Sequence, residues 1–251
     1  MSLVCGRPPR STADPFFDGW GDSGAALALK HWNLFAHGAC TTLELTFFAL
    51  ALGLLIAVPA ALALARGTPG FKWLISGYVY VFRGSPLLVQ AYLIYYGLSQ
   101  FDAVRASIFW PFLREAYWCA LLAFTLNTGA YTTEIIRGAI VNTPKGEIEG
   151  AQALGLSRFQ ATWLIELPSA FRRALPQYSN EIIFMLHGSV IASVITIQDI
   201  LGVGRTVNAK YYVAYEGFLT AALLYMTLTF MIVLAFRQVE RKYLAHLLVG
   251  R

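Results

Sequence analysis

The stretch 39–65, ACTTLELTFFALALGLLIAVPAALALA, carries a single charged side chain, Glu44. It is longer than the ~20 apolar residues that a bilayer core needs, and no other feature restricts the fold as much. Four further apolar stretches follow at 74–98, 118–140, 176–197 and 218–236. Pro59 is expected to kink the first span, which helices in a bilayer tolerate when packing satisfies the freed backbone. The second is interrupted by Arg83-Gly84-Ser85-Pro86. Pro176 suits the first turn of the fourth span, where its missing N–H is not needed. Only 13% of the 251 residues are charged and 57% are hydrophobic. A soluble domain carries roughly 25% charged residues, so the chain reads as an all-α integral membrane protein with five transmembrane helices.

The net charge of +5 does not point to nucleic acid, because the basic residues are scattered among short loops. Five spans place the two termini on opposite sides. Arg66, Lys72, Arg137, Lys145, Arg158, Arg172, Arg173, Arg237, Arg241, Lys242 and Arg251 fall on one side. Arg7, Arg10, Lys30, Arg105, Arg114, Arg205 and Lys210 fall on the other. The richer side is expected to be cytoplasmic, so the N-terminus faces the periplasm and the C-terminus the cytoplasm. The first 30 residues contain PPRSTADPFFDGWGDSG, polar and rich in Pro and Gly, and read as a flexible periplasmic tail without a secretory signal. The domain proper is expected over 31–251. Cys5, Cys40 and Cys119 match no metal spacing and read as small apolar fillers.

No G-x-x-x-x-G-K-[ST], H-E-x-x-H or G-x-S-x-G is present, and the four histidines are dispersed. No catalytic residue, metal site or cofactor site is expected on this chain. Energy for any active process must come from another protein.

One polar segment interrupts the apolar pattern, at 145–168. Glu147 and Glu149 sit in the first turn of a short helix, where carboxylates favour the positive end of the helix dipole. Gly155 stands where that helix must stop. Ser157 can cap a second helix, and Pro168 is expected to end it. The result is a two-helix knob facing the cytoplasm, a handle for a soluble partner.

Within it, 149–168 reads EGAQALGLSRFQATWLIELP. This resembles the E-A-A-x3-G-x9-I-x-L-P loop of membrane subunits of bacterial ABC importers. Glu149, Gly150, Ala151, Gly155, Ile165, Leu167 and Pro168 fall on the pattern, with Gly150 standing where Ala is usual. FRGSPLLVQ (82–90), LNTGAYTTEIIRGAI (126–140) and LPSAFRRALPQYSNEIIFMLH (167–187) are similar to the M-type permeases of histidine/lysine/arginine/ornithine importers and of the related opine importers. The resemblance runs from about residue 39 onward and implies a type I importer transmembrane domain in the bacterial inner membrane, with the 145–168 hairpin as its coupling helix. It also implies partners: a second, Q-type permease forming a heterodimer, a homodimeric ABC ATPase using ATP and Mg, a periplasmic substrate-binding protein, and membrane lipids.

Ionisable groups inside spans are costly, about 2.5–3.5 kcal/mol on insertion scales, and are functional hypotheses by default. Asn127, Tyr131 and Glu134 share one helical face with Gly138. Glu181, Met185, Gly188 and Ala192 share another. Glu181 is the leading candidate for contacting a guanidinium or ammonium group; the alternative is a Glu paired with Arg137, Arg172 or Arg173. Asn127, Tyr131, Met185 and Gly188 are the other candidate substrate contacts. Glu134, Arg83 and Pro86 are expected to serve a gate or the structure, with Arg83 snorkelling or bonding carbonyls freed by Pro86. His187 reads as a packed polar residue, and Glu44 as a side chain facing water. The expected cargo, by resemblance, is a polar and cationic amino acid. An opine or a neutral polar amino acid is the nearest alternative, and a proton-coupled secondary transporter a more distant one.

Overall fold

The computed structural model describes Cys5 and residues 29–212 and 214–248. The expected N-terminal tail lies outside the described residues apart from Cys5, Leu29 and Lys30. Arg251 lies outside them too.

Helix α1 (Trp32–Arg66) is one run of 35 residues that passes through Pro59 without a break. Helix α2 (Pro69–Gly84) starts on a proline in its first turn and stops at Ser85, whose backbone is extended. The stop is local chemistry: a residue before proline is pushed out of the helical region, and Pro86 follows. Helix α3 (Leu87–Tyr92) continues through a π turn (Leu93–Gly97) and a 3-10 turn (Leu98–Gln100). The single turns α4 (Asp102–Arg105) and α5 (Trp110–Leu113) lead into α6 (Ala116–Val141). The hairpin helices α7 (Lys145–Ala153) and α8 (Arg158–Ala161) come next, then a π turn (Thr162–Glu166) and α9 (Leu167–Gly188). A 3-10 segment (Ser189–Ile195), α10 (Ile200–Tyr211) and α11 (Ala214–Leu248) complete the described chain. No strand occurs among the described residues. By length and composition, the helical stretches Trp32–Arg66, Arg158–Ile195 and Tyr215–Lys242 are able to cross a membrane.

Two expectations about prolines are corrected. Pro168 does not end a helix; it is the second residue of α9. The π turn before it hands the Leu167 N–H to the Thr162 carbonyl, so Pro168 enters a restarting helix at a position that needs no donor. Pro176 lies inside α9 rather than at its start.

The chain divides into two compact units. Unit 2 comprises Leu50–Pro86, Leu126–Ile183 and Ile232–Arg251. Its core is built from Ala57 and Ala61 of α1, Ile135, Ile136, Ala139 and Ile140 of α6, and Ala170 and Ala174 of α9. Small side chains there let helix backbones approach, the usual basis of helix association in lipid.

Unit 1 comprises Met1–Ala49, Leu87–Thr125 and Phe184–Met231. Here α10 is anchored at its first turn. Asp199 caps it, accepting the Gly202 N–H at 2.7 Å, and Tyr225 donates to the other carboxylate oxygen at 3.1 Å. Gly204 and Gly217 face each other so closely that a Cβ on either would lie 2.7–2.9 Å from the other's carbonyl oxygen.

Two readings of unit 1 are also overturned. Cys5 and Cys40 form a disulfide, so they are not apolar fillers; Cys119 is the buried free thiol among them. Glu44 does not face water. It is 7% exposed and accepts the Tyr117 hydroxyl at 2.7 Å and the Cys5 N–H at 3.3 Å.

Candidate coupling hairpin and polar bundle residues

The hairpin folds from its own sequence. Gly155 adopts φ +78°, the left-handed conformation open to glycine. Its N–H reaches the Gln152 carbonyl at 2.9 Å, and the Leu156 N–H reaches Ala151 at 3.1 Å, closing α7 in a Schellman pattern. Ser157 then caps α8 in a reciprocal box. Its N–H donates to Gln160 Oε1 at 2.9 Å, and its hydroxyl accepts the Gln160 N–H at 3.3 Å. Two helix ends are thus satisfied within six residues, which makes the bend rigid.

Of the expected coupling residues, Glu149, Gly150, Gly155 and Pro168 are exposed, Ile165 is half-buried, and Ala151 and Leu167 are buried against the knob. The hairpin also exposes large apolar side chains that no sequence argument singled out: Leu154 (83% exposed), Phe159, Trp163 and Leu164. Phe159 and Trp163 lie with ring centroids 6.0 Å apart. Their i, i+4 spacing was the available signal.

Side chains also fasten the hairpin. Arg66, the last residue of α1, donates to the Thr162 hydroxyl and to the Glu166 carboxylate, and Glu166 is buried. Arg173 of α9 donates to Thr143 Oγ1 and Ser169 Oγ at 2.6 Å each and to the Ala139 carbonyl at 3.3 Å. It also lies 3.6 Å from Glu147 in the first turn of α7.

In unit 2 the expected polar face of α6 is present, but its partners were not foreseen. Asn127 Nδ2 donates to the Phe82 carbonyl at 3.1 Å, and the Tyr131 hydroxyl donates to the Arg83 carbonyl at 3.4 Å. Tyr78 returns a bond to the Leu126 carbonyl at 2.7 Å. Two carbonyls at the end of α2, those of Phe82 and Arg83, are therefore taken by α6 side chains and not by the Arg83 side chain. The Arg83 guanidinium instead lies 5.1 Å from the centroid of the Tyr131 ring, a cation–π contact.

Glu181 is 8% exposed and accepts the Thr128 hydroxyl at 2.8 Å. None of Arg137, Arg172 or Arg173 forms an ion pair with it: Arg137 grips Glu134 on its own helix at 2.6 Å, and Arg173 turns to Glu147.

Met185 and Gly188 belong to unit 1, Met185 being 2% exposed. A Cβ on Gly188 would meet the Leu87 side chain at 3.2 Å. The face shared by 181, 185, 188 and 192 breaks at Gly188, because 189–195 winds as a tighter 3-10 helix and changes the angular step. His187 is exposed and lies 3.0 Å from the Thr229 hydroxyl. Among the described residues no cluster of metal-ligating side chains occurs.

A membrane-embedded helical subunit presenting a capped, apolar-faced knob is the arrangement of an importer permease. Residues 45–244 match the family of binding-protein-dependent transport system inner membrane components, and the chain belongs to it. It is a non-catalytic translocation subunit of the inner membrane, with the type I ABC importer fold; ATP hydrolysis belongs to separate subunits.

Among individual proteins, the octopine transport system permease protein OccM of Rhizobium radiobacter is 44% identical over 215 residues, which cover 83% of this chain and 86% of OccM. The histidine/lysine/arginine/ornithine permease HisM of Salmonella typhimurium is 40% identical over 210 residues, 83% of this chain and 89% of HisM. In three dimensions, a crystal structure of an amino acid ABC transporter with histidines superposes with a TM-score of 0.78 at 32% identity, covering 88% of this chain and 99% of that one. The MetNI methionine ABC transporter shares the fold at 18% identity, with a TM-score of 0.71 over 85% of this chain and 97% of its own.

Proposed function

We propose that this chain is the M-type half of an ATP-driven importer that carries a cationic amino acid, free or as an opine, from periplasm to cytoplasm. The observation that carries the reading is the buried carboxylate of Glu181, hydrogen-bonded by Thr128 in a segment of predominantly apolar helices. A carboxylate in that setting attracts a guanidinium or ammonium group. Asn127 and Tyr131, on the same helix as Thr128, are the further candidate contacts. The named substrates of HisM and OccM agree with this chemistry. The opine form is kept as an equal second reading because OccM, at 44%, is no more distant than HisM.

In this reading five spans cross the membrane, with the N-terminus in the periplasm and the hairpin and C-terminus in the cytoplasm. The Cys5–Cys40 disulfide supports that orientation, since disulfides form in the periplasm and are rare in the cytosol. Glu149, Leu154, Phe159, Trp163 and Leu164 present the hairpin to a homodimeric ABC ATPase that binds ATP and Mg. A Q-type permease completes the pathway, and a periplasmic binding protein delivers the cargo. Closure of the ATPase dimer then moves the hairpin as a rigid body.

The test is uptake into proteoliposomes holding the complete complex with internal ATP. Arginine and octopine compete for uptake at low concentration, serine does not, and replacing the phosphate-loop lysine of the ATPase stops all of it. Uptake that survives that replacement would make the chain part of a secondary transporter. Equal uptake of serine would remove Glu181 as the selector.

A further inference from the structure

The hairpin joins α6 directly through 142–144 and runs into α9 through the π turn. It has no short covalent path to α1, which ends 79 residues before the hairpin begins at Lys145. Yet α1 supplies Ala57 and Ala61 to the unit 2 core. Any displacement of the hairpin must reach α1 through side chains.

Besides those apolar core contacts, a polar connection runs from the end of α1 directly to the hairpin. Arg66, the final residue of α1, is forked between the Thr162 hydroxyl and the Glu166 carboxylate. Thr162 and Glu166 are the first and last residues of the π turn, and both are buried. The Thr162 hydroxyl also donates to the Arg158 carbonyl at 2.8 Å, so it is fixed to α8 while it accepts from Arg66. A π turn widens the helix by one residue and recurs at functional sites. Here the run TWLIE from Thr162 to Glu166 is apolar between its two polar ends, and both of those ends meet Arg66. Arginine suits the position, because its planar fork holds two acceptors at once, which a lysine does not. Arg173 of α9 in turn braces Glu147, Thr143 and Ala139. The knob is thus braced on α9 by Arg173, and the Arg66 fork ties it directly to the end of α1.

We infer that Arg66, Thr162 and Glu166 form the joint that transmits displacement of the coupling hairpin to the first transmembrane helix. Arg66 and Glu166 are positioning residues and touch neither nucleotide nor substrate. The inference rests on the reading of the hairpin as the element gripped by the ATPase.

Arg66→Gln, Glu166→Gln and the double variant separate this role from plain folding. Each single change leaves one charge of the pair unmatched, whereas the double change removes both charges and still breaks the joint. The readout is substrate imported per ATP hydrolysed by the complete reconstituted complex, alongside recovery of the assembled complex. The expected result is an assembled double variant with basal ATP hydrolysis within about twofold of the parent and import per ATP at least fivefold lower. The double should lose no more than either single, because one interaction is removed in all three. Parental import per ATP in the double variant would overturn the inference. So would losses that multiply between the singles, or failure of the double variant to assemble, which would make the pair a folding element. A parent complex without ATP-driven uptake would instead remove the underlying reading of the hairpin.

Discussion

The hydroxyl of Thr128 donates to Oε1 of Glu181 at 2.8 Å, linking α6 to α9 through a carboxylate that is 8% exposed. The bond orients one carboxylate oxygen and leaves the other for a cation. Glu181→Gln keeps the shape and the Thr128 bond but removes the charge. The expected outcome is a KM for arginine raised at least tenfold, equivalent to about 1.4 kcal/mol, with little change for a neutral analogue. Uptake kinetics of both compounds in proteoliposomes check it, and equal effects on the two would contradict it.

Asn127 and Tyr131 hold the frayed end of α2. Each bond is worth about 0.5–1.5 kcal/mol net, and the carbonyl left unpaired adds its own cost. Asn127→Leu is therefore expected to lower the thermal midpoint of the purified protein by a few degrees. Tyr131→Phe should lower it less, because its 3.4 Å bond is longer and its ring still supports Arg83. Thermal unfolding in detergent measures both.

The Cys5–Cys40 bridge closes a loop across 35 positions. In the chain-entropy account a loop of that size stabilises by roughly 3–4 kcal/mol. Protein taken from an oxidising periplasm and denatured without reductant should accept one maleimide–polyethylene glycol tag, at Cys119, and three after reduction. Three tags before reduction would contradict both the bridge and the placement of the N-terminus outside.

How far these features could be read from the chain depends on how local their causes are. The hairpin was legible because its stops and caps lie within a few residues: Gly155, Ser157, Gln160. Glu181 and Asn127 were legible as polar residues at apolar positions, and the 3.6-residue period put Asn127 and Tyr131 on one face. Their partners were not legible. The Phe82 carbonyl is 45 residues from Asn127, and nothing in the α6 pattern says which helix end it will meet. Glu44 and Cys5 were misread for the same reason, since Tyr117 and Cys40 come to them only in the folded chain. Pro168 was misread because a π turn re-routes the preceding N–H, and no composition rule announces a π turn.

The central claim is that the rigid hairpin converts ATP hydrolysis into transport. Gly155 tests it most directly, because it is exposed, no atom lies within 4 Å of a Cβ built there, and its φ of +78° strains a β-branched residue. Gly155→Val costs about 1–2 kcal/mol in that conformation and reorients α8 without touching the bundle core. The measurement is arginine imported per ATP hydrolysed by the reconstituted complex. A ratio at least tenfold below the parent, with the complex assembled and ATP still hydrolysed, is the predicted result. An assembled Gly155→Val complex that imports at the parental ratio would contradict the account.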